Sequence, residues 1–134
     1  MPSLLKEFLI IALLVAGGST YSLVSGLAPL PGAEPPLSAG EIRLAEARAL
    51  EPLWIDARSE EEFAEGAIEG AFRLSDDNWE EALPELIGRW LAGMPPLVVY
   101  CSSASCDASK RIAGRLREAL PDAEIFSLQG GWPQ

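Results

Sequence analysis

Residues 97–109, Leu-Val-Val-Tyr-Cys-Ser-Ser-Ala-Ser-Cys-Asp-Ala-Ser, carry an apolar, β-branched run into a cysteine, a loop of small residues and the start of a helix. This layout places the Cys101 thiol at the carboxyl end of a strand, among loop amides and facing a helix N-terminus. Amide N–H groups and the helix dipole favour negative charge there, so a thiolate is stabilised and the site suits sulfur chemistry. The only other cysteine, Cys106, lies in the same loop. Strands and helices alternate along the rest of the chain from residue 38. That alternation predicts an α/β fold, a three-layer sandwich with a mainly parallel sheet flanked by helices.

The elements can be placed from local signals. Ser38 and Glu41 have capping-box spacing and predict a helix over 39–48. Leu53-Trp54-Ile55 reads as a short buried strand ending at Asp56. Ser59 and Glu60–Glu62 open a short helix that Gly66 ends, with carboxylates suited to the first turn. Residues 70–74 read as a strand, and 78–91 as a helical stretch with Pro84 at an internal restart, because proline suits a first turn. Pro95-Pro96 precedes the strand 97–100. A helix over 106–120 carries Ile112, Leu116 and Leu120 on one stripe, 124–128 is a last strand, and Gly130-Gly131-Trp132 a tight turn.

Length and charge restrict the rest. A chain of 134 residues holds one ordinary domain. With 20 acidic against 10 basic residues its net charge is −10, which excludes general nucleic-acid binding. It has no histidine, which removes the usual general base, a Cys–His pair and most zinc arrangements. Neither a metal nor a cofactor is expected.

The N-terminus is apolar. No charged residue occurs from Phe8 to Ala33, and Phe8–Ala16 is densely hydrophobic. Roughly 20 such residues span a bilayer as a helix, so residues 1–27 read as a transmembrane anchor or a signal segment. Lys6 and the terminal amine stay inside, which puts the remainder on the extracytoplasmic side, tethered or, after cleavage, secreted or periplasmic. A helix buried in a soluble core is the third possibility. Residues 28–37 hold four prolines and form an extended, stiff linker to a domain over 38–134.

Several of these segments resemble one family. Ile55-Asp56-Ala57-Arg58-Ser59 with Glu62-Phe63, then Gly66-Ala67-Ile68-Glu69-Gly70-Ala71, resembles the first signature of rhodanese-like domains. That signature reads Asp-x-Arg, an acidic-aromatic pair and Gly-His-Ile-x-Gly-Ala. Val98-Val99-Tyr100-Cys101 resembles the strand that delivers the family's catalytic cysteine, and Ser109 with Ile112, Ala113 and Leu116 the helix behind it. Leu128-Gln129-Gly130-Gly131-Trp132 is similar to the closing Gly-Gly-Trp signature. The likeness spans roughly residues 37–134. Ala67 stands in place of histidine, and the loop from Cys101 to Ser109 is two residues longer than Cys-x-x-Gly-x-Arg-Ser, without its glycine or arginine. The arginine's place falls on Cys106. Asp107 stands six residues past Cys101, where phosphatase relatives of the fold need arginine, so phosphatase activity is not expected.

The resemblance implies a sulfurtransferase that carries sulfane sulfur as a persulfide on Cys101, held by amides of Ser102, Ser103, Ala104 and Ser105. A small sulfur donor (polysulfide, persulfide or thiosulfate) and a thiol acceptor are the implied partners, besides the membrane; no protein partner is named by the residues. Lys110 and Arg111 are the nearest cations for an anionic donor, or else a solvated helix face. Without the loop arginine, thiosulfate is expected to be a weak donor beside polysulfide or a protein-bound persulfide. Asp56 and Arg58 resemble the family's structural pair near the site. Cys106 either attacks sulfur on Cys101, leaving a disulfide, or is a plain loop residue. Two other readings stand beside the sulfur carrier: a thiol–disulfide protein using Cys101 and Cys106, and an inactive binding module.

Overall fold

The computed structural model describes residues 2–24, 32–103 and 107–133, with side chains over 3–17 in the first of these stretches. The chain divides into two compact units, Met1–Pro36 and Leu37–Gln134. The first unit contains helix α1 (Pro2–Val24), 23 residues long. Its described apolar side chains, Leu4, Leu5, Phe8 to Ile11 and Leu13 to Val15, are all exposed, so the helix is hydrophobic around its circumference. Among the described residues no helix is long and apolar enough to cross a membrane. The expected span runs on to residue 27, past the last described residue of α1.

The second unit runs β1 (Glu41–Ile42), α2 (Leu44–Ala49), β2 (Leu53–Asp56), α3 (Glu60–Glu65), β3 (Phe72–Arg73), α4 (Trp79–Leu91), β4 (Leu97–Tyr100), α5 (Ala108–Ala119) and β5 (Ile125–Leu128). Among the described residues five strands form one sheet in the order β1-β5-β4-β2-β3, and every pairing is parallel. All four residues of the central strand β4 are buried. Leu97 and Val99 face the larger core with Leu86 and Trp90 of α4 and Ile112 and Leu116 of α5. Val98 and Tyr100 face the smaller one with Ala47 of α2 and Trp54. Burial on both faces explains why β4 is apolar at every position, and each such side chain contributes about 1.5–3 kcal/mol.

Three local expectations are revised. Ser38 and Glu41 do contact, the Ser38 N–H donating to Glu41 Oε2 at 2.7 Å, but they close a turn. Gly40 takes φ +79° in that turn and Glu41–Ile42 then pairs with Ser127–Leu128, so strand pairing overrides the helical pattern of residues 39–43. The helix starts only at Leu44, without a side-chain cap. Pro84 lies inside an uninterrupted α4, because Trp79, Leu86 and Trp90 on one face are held in the core. Helix α5 starts at Ala108 with Asp107 as its N-cap, and Cys106 lies outside the described residues. By contrast, Ser59 and Glu62 form the full capping box that opens α3.

Candidate active site

The parallel sheet brings the carboxyl ends of β2, β3 and β4 to one edge. In the strand order given, β4 leaves β2 on the side opposite β3, so the edge between β2 and β4 is a topological switch point. Cys101 follows directly after β4 and is 2% exposed, while Ser102 and Ser103 are exposed. The Cys101 sulfur lies 3.7 Å from the Ser103 carbonyl oxygen and 3.6 Å from Ser109 Oγ in the first turn of α5. Ser109 is itself buried, so its hydroxyl faces the sulfur within the protein. A hydroxyl can accept from a thiol or donate to a thiolate, so this neighbour serves both protonation states.

Asp56 and Arg58 are held together at the end of β2. Arg58 Nη2 lies 2.7 Å from Asp56 Oδ2 and Nε 3.0 Å from Oδ1, with the Arg58 backbone N–H also donating to Oδ1 at 2.9 Å. Both side chains are buried. Arg58 Nη2 also donates to the Gly66 carbonyl at 2.6 Å, tying β2 to the end of α3. The bonds to Asp56 raise the Arg58 pKa above its ordinary value, so the guanidinium stays charged. Tyr100 completes the group: its hydroxyl donates to Asp56 Oδ2 at 2.7 Å and accepts from the Ile68 N–H at 3.2 Å. Burial, reinforced by the Asp56 carboxylate, pushes the Tyr100 phenol upward, so it remains a donor.

The turn after β5 closes on the cysteine loop. The Trp132 N–H donates to the Cys101 carbonyl at 2.7 Å. The Trp132 ring stands edge-on to Tyr100, with centroids 5.8 Å apart, and Arg58 lies over it at 5.1 Å. Beside β2 and α5 is a cleft of about 280 Å³, lined among others by Arg58, Ser59, Ser75, Asp76, Ala108 and Arg111. It adjoins the cysteine through its walls: Ala57, which also lines it, donates its N–H to the Tyr100 carbonyl, and Ala108 precedes Ser109.

Residues 42–134 match the family described as Rhodanese-like domain. The chain belongs to the rhodanese-like domain family. Solved structures align with this rhodanese-like domain at low identity. A Bacillus halodurans protein aligns over 68% of this chain and 66% of its own, at 18% identity and a TM-score of 0.52. A Lactobacillus plantarum protein aligns over 87% and 88%, at 17% identity and 0.49. The N-terminal domain of a Clostridium difficile protein aligns over 69% and 92%, at 17% and 0.48. No curated protein matches the chain.

The rhodanese-like domain brings Cys101, Ser102, Ser103, Asp56 and Arg58 to one edge of the sheet. Ala104, Ser105 and Cys106 lie outside the described residues. The two expected cations are each engaged: Lys110 Nζ lies 3.3 Å from Glu41 Oε1, and Arg111 Nη2 3.0 Å from Asp76 Oδ2. Arg115 holds the other oxygen of Asp76 at 3.0 Å. Sequence reasoning missed Tyr100, Gly131 and the Trp132 amide as parts of the site. Tyr100 was legible in principle, because alternation along β4 sets it on the face opposite Val99, directly before the cysteine. The Trp132 contact has no local signal, since it joins residues at the ends of two different strands.

Proposed function

We propose that this rhodanese-like domain is a sulfurtransferase that carries sulfane sulfur on Cys101. The observation that carries the reading is a buried sulfur at the end of the central strand, 3.6 Å from the Ser109 hydroxyl at a helix N-terminus. In the first step the Cys101 thiolate attacks the sulfane sulfur of a polysulfide. The donor S–S bond breaks, and its electron pair leaves on the shortened polysulfide. In the second step an acceptor thiolate attacks the outer sulfur of the Cys101 persulfide, restoring the Cys101 thiolate and departing as a new persulfide. The loop amides of Ser102 and Ser103 hold the outer sulfur.

Lys110 and Arg111 reach an anionic donor only by leaving Glu41 and Asp76. The Arg111–Asp76 pair lies at the surface and is worth at most about 1 kcal/mol, so it yields to a bound ligand but adds little net attraction. Lys110, by contrast, is held by a Glu41 side chain that is only 10% exposed. Polysulfide or a protein-bound persulfide is therefore the favoured donor over thiosulfate. Residues 1–27 tether the domain to a membrane, with the domain on the extracytoplasmic side. The support is the charge-free run from Phe8 to Ala33 and the exposed apolar circumference of α1.

The test loads the full chain, in detergent, with polysulfide and locates added sulfur by tandem mass spectrometry. One extra sulfur on Cys101, removed by an acceptor thiol and absent in Cys101→Ser, is the expected result. An unmodified Cys101 overturns the reading. A reversible Cys101–Cys106 disulfide under oxidant, without sulfur uptake, supports the redox protein instead.

A further inference from the structure

We propose that the turn Gly130–Trp132 is a positioning element for the cysteine loop, acting on it through the backbone of Gly131 and Trp132. This rests on the sulfur-carrier reading for its kinetic consequence, though not for its structural one. Three contacts converge. The Trp132 N–H donates to the Cys101 carbonyl at 2.7 Å, so the turn grips the peptide immediately after the reactive side chain. Gly131 takes φ +73°, and a Cβ on it would stand 2.5 Å from Ser103 N, 2.7 Å from Ser103 Cα and 2.9 Å from the Cys101 carbonyl oxygen. All three are backbone atoms, so no rotamer change relieves the clash. The Trp132 ring, meanwhile, is fixed against Tyr100 and beneath the Arg58 guanidinium, which Asp56 holds.

The turn is thus anchored on its ring side to the buried Asp56–Arg58–Tyr100 group and presses on the loop from its backbone side. Its target is the segment whose Ser103 carbonyl lies 3.7 Å from the Cys101 sulfur. The acceptor is taken to enter by the cleft between β2 and α5, and among the described residues neither Gly131 nor Trp132 lines it. Displacing the turn's backbone therefore moves the reacting sulfur and its loop, while among the described lining residues of the cleft only Arg58, held by Asp56, is stacked on the turn. With kcat counted per alkylatable Cys101 in the folded chain, this separates the turn from a residue of purely structural importance, which would lower the active fraction alone and leave kcat per site unchanged.

The experiment measures sulfur transfer from polysulfide to a small thiol, 2-mercaptoethanol, with the full chain in detergent. Misplacing a reacting group by about 1 Å costs on the order of a hundredfold. Gly131→Ala is accordingly expected to lower kcat by tenfold or more, about this order, while KM for the thiol changes less than about twofold because Gly131 does not line the cleft. Trp132→Phe keeps the backbone amide and an aromatic ring, and is expected to lower kcat by no more than about threefold, the loss that follows from a modest change in ring contact. Unchanged kcat in a folded Gly131→Ala chain overturns the proposal, as does a loss confined to KM.

A second measurement needs no substitution and no sulfur transfer. Alkylating Cys101 with iodoacetamide, localised by tandem mass spectrometry, is expected to raise hydrogen exchange of the Trp132 amide, since a group added to a buried sulfur 3.7 Å from the Ser103 carbonyl displaces the loop that the turn grips. Unaltered exchange there overturns the proposal even if Gly131→Ala does not fold. If Cys101 takes no sulfur but this exchange responds, the sulfur-carrier reading fails and the positioning contact stands.

Discussion

The Tyr100 hydroxyl donates to Asp56 Oδ2 at 2.7 Å, joining two residues 44 apart in sequence at the ends of neighbouring strands. Both groups are fully buried. The bond links the strand that delivers Cys101 to the one that carries the Asp56–Arg58 pair. Removing it leaves the Ile68 N–H without its hydroxyl acceptor and takes one donor from Asp56. Tyr100→Phe is expected to destabilise the domain by about 1–3 kcal/mol, the penalty for orphaning buried polar groups. The urea unfolding midpoint checks this, and an unchanged midpoint would refute it.

The Asp56–Arg58 pair predicts a larger and non-additive effect. Arg58→Met deletes the guanidinium and strands a buried carboxylate, at a cost of about 3–5 kcal/mol. Asp56→Asn in the same chain removes that charge, so the double variant should be more stable than the sum of the two single losses implies. A double-mutant cycle by chemical denaturation measures the difference. Strict additivity would mean that the pair is not coupled.

Asp77 gives a pH dependence with a definite sign. Hydrogen bonds from Arg73 and then Ser75 lower its pKa from 3.8 to about 2. A depressed folded-state value means that the carboxylate stabilises the fold above pH 3.8 and that this contribution is lost as pH falls toward about 2. The side chain is 64% exposed, so solvent screens the pair and the effect is small. Asp77→Asn should therefore be less stable than the native chain at neutral pH, and the gap should close through that acidic window. Urea midpoints of both chains across the acid range provide the comparison; a gap that widens on acidification contradicts the assignment.

Ser109 offers a test of the chemistry with little effect on packing. Its Oγ lies 3.6 Å from the Cys101 sulfur, and Ser109→Ala removes only that oxygen. A hydrogen bond to a charged sulfur is worth about 1.5–3 kcal/mol, so sulfur transfer should slow by about tenfold or more. Thermal unfolding should shift little. Full activity in the alanine variant would show that the hydroxyl takes no part.

What was legible in the chain had short-range causes. Ser59 and Glu62 cap α3 because both bonds form within one turn, and β4 reads as buried because every residue of it is apolar. Cys101 at the end of that strand and the family signatures around it locate the site for the same reason: residues, loop and helix are consecutive. Partners were harder to see. Ser38 and Glu41 have helix-capping spacing, but pairing of Glu41–Ile42 with β5 decides their conformation. Pro84 signals a break, but burial of Trp79, Leu86 and Trp90 carries α4 through it.

By itself, then, the sequence determined the order of strands and helices from β2 onward, the α/β class, the cysteine at the end of β4 and the apolar N-terminal run, all set by neighbours in the chain. Only the tertiary structure decided where the charges and the turn would go. Lys110 is committed to Glu41, Arg111 to Asp76, Tyr100 to Asp56, and Gly131 to the backbone of Ser103. Each of those contacts joins different elements at one edge of the sheet, and such distances exist only once parallel pairing has set the strands in register.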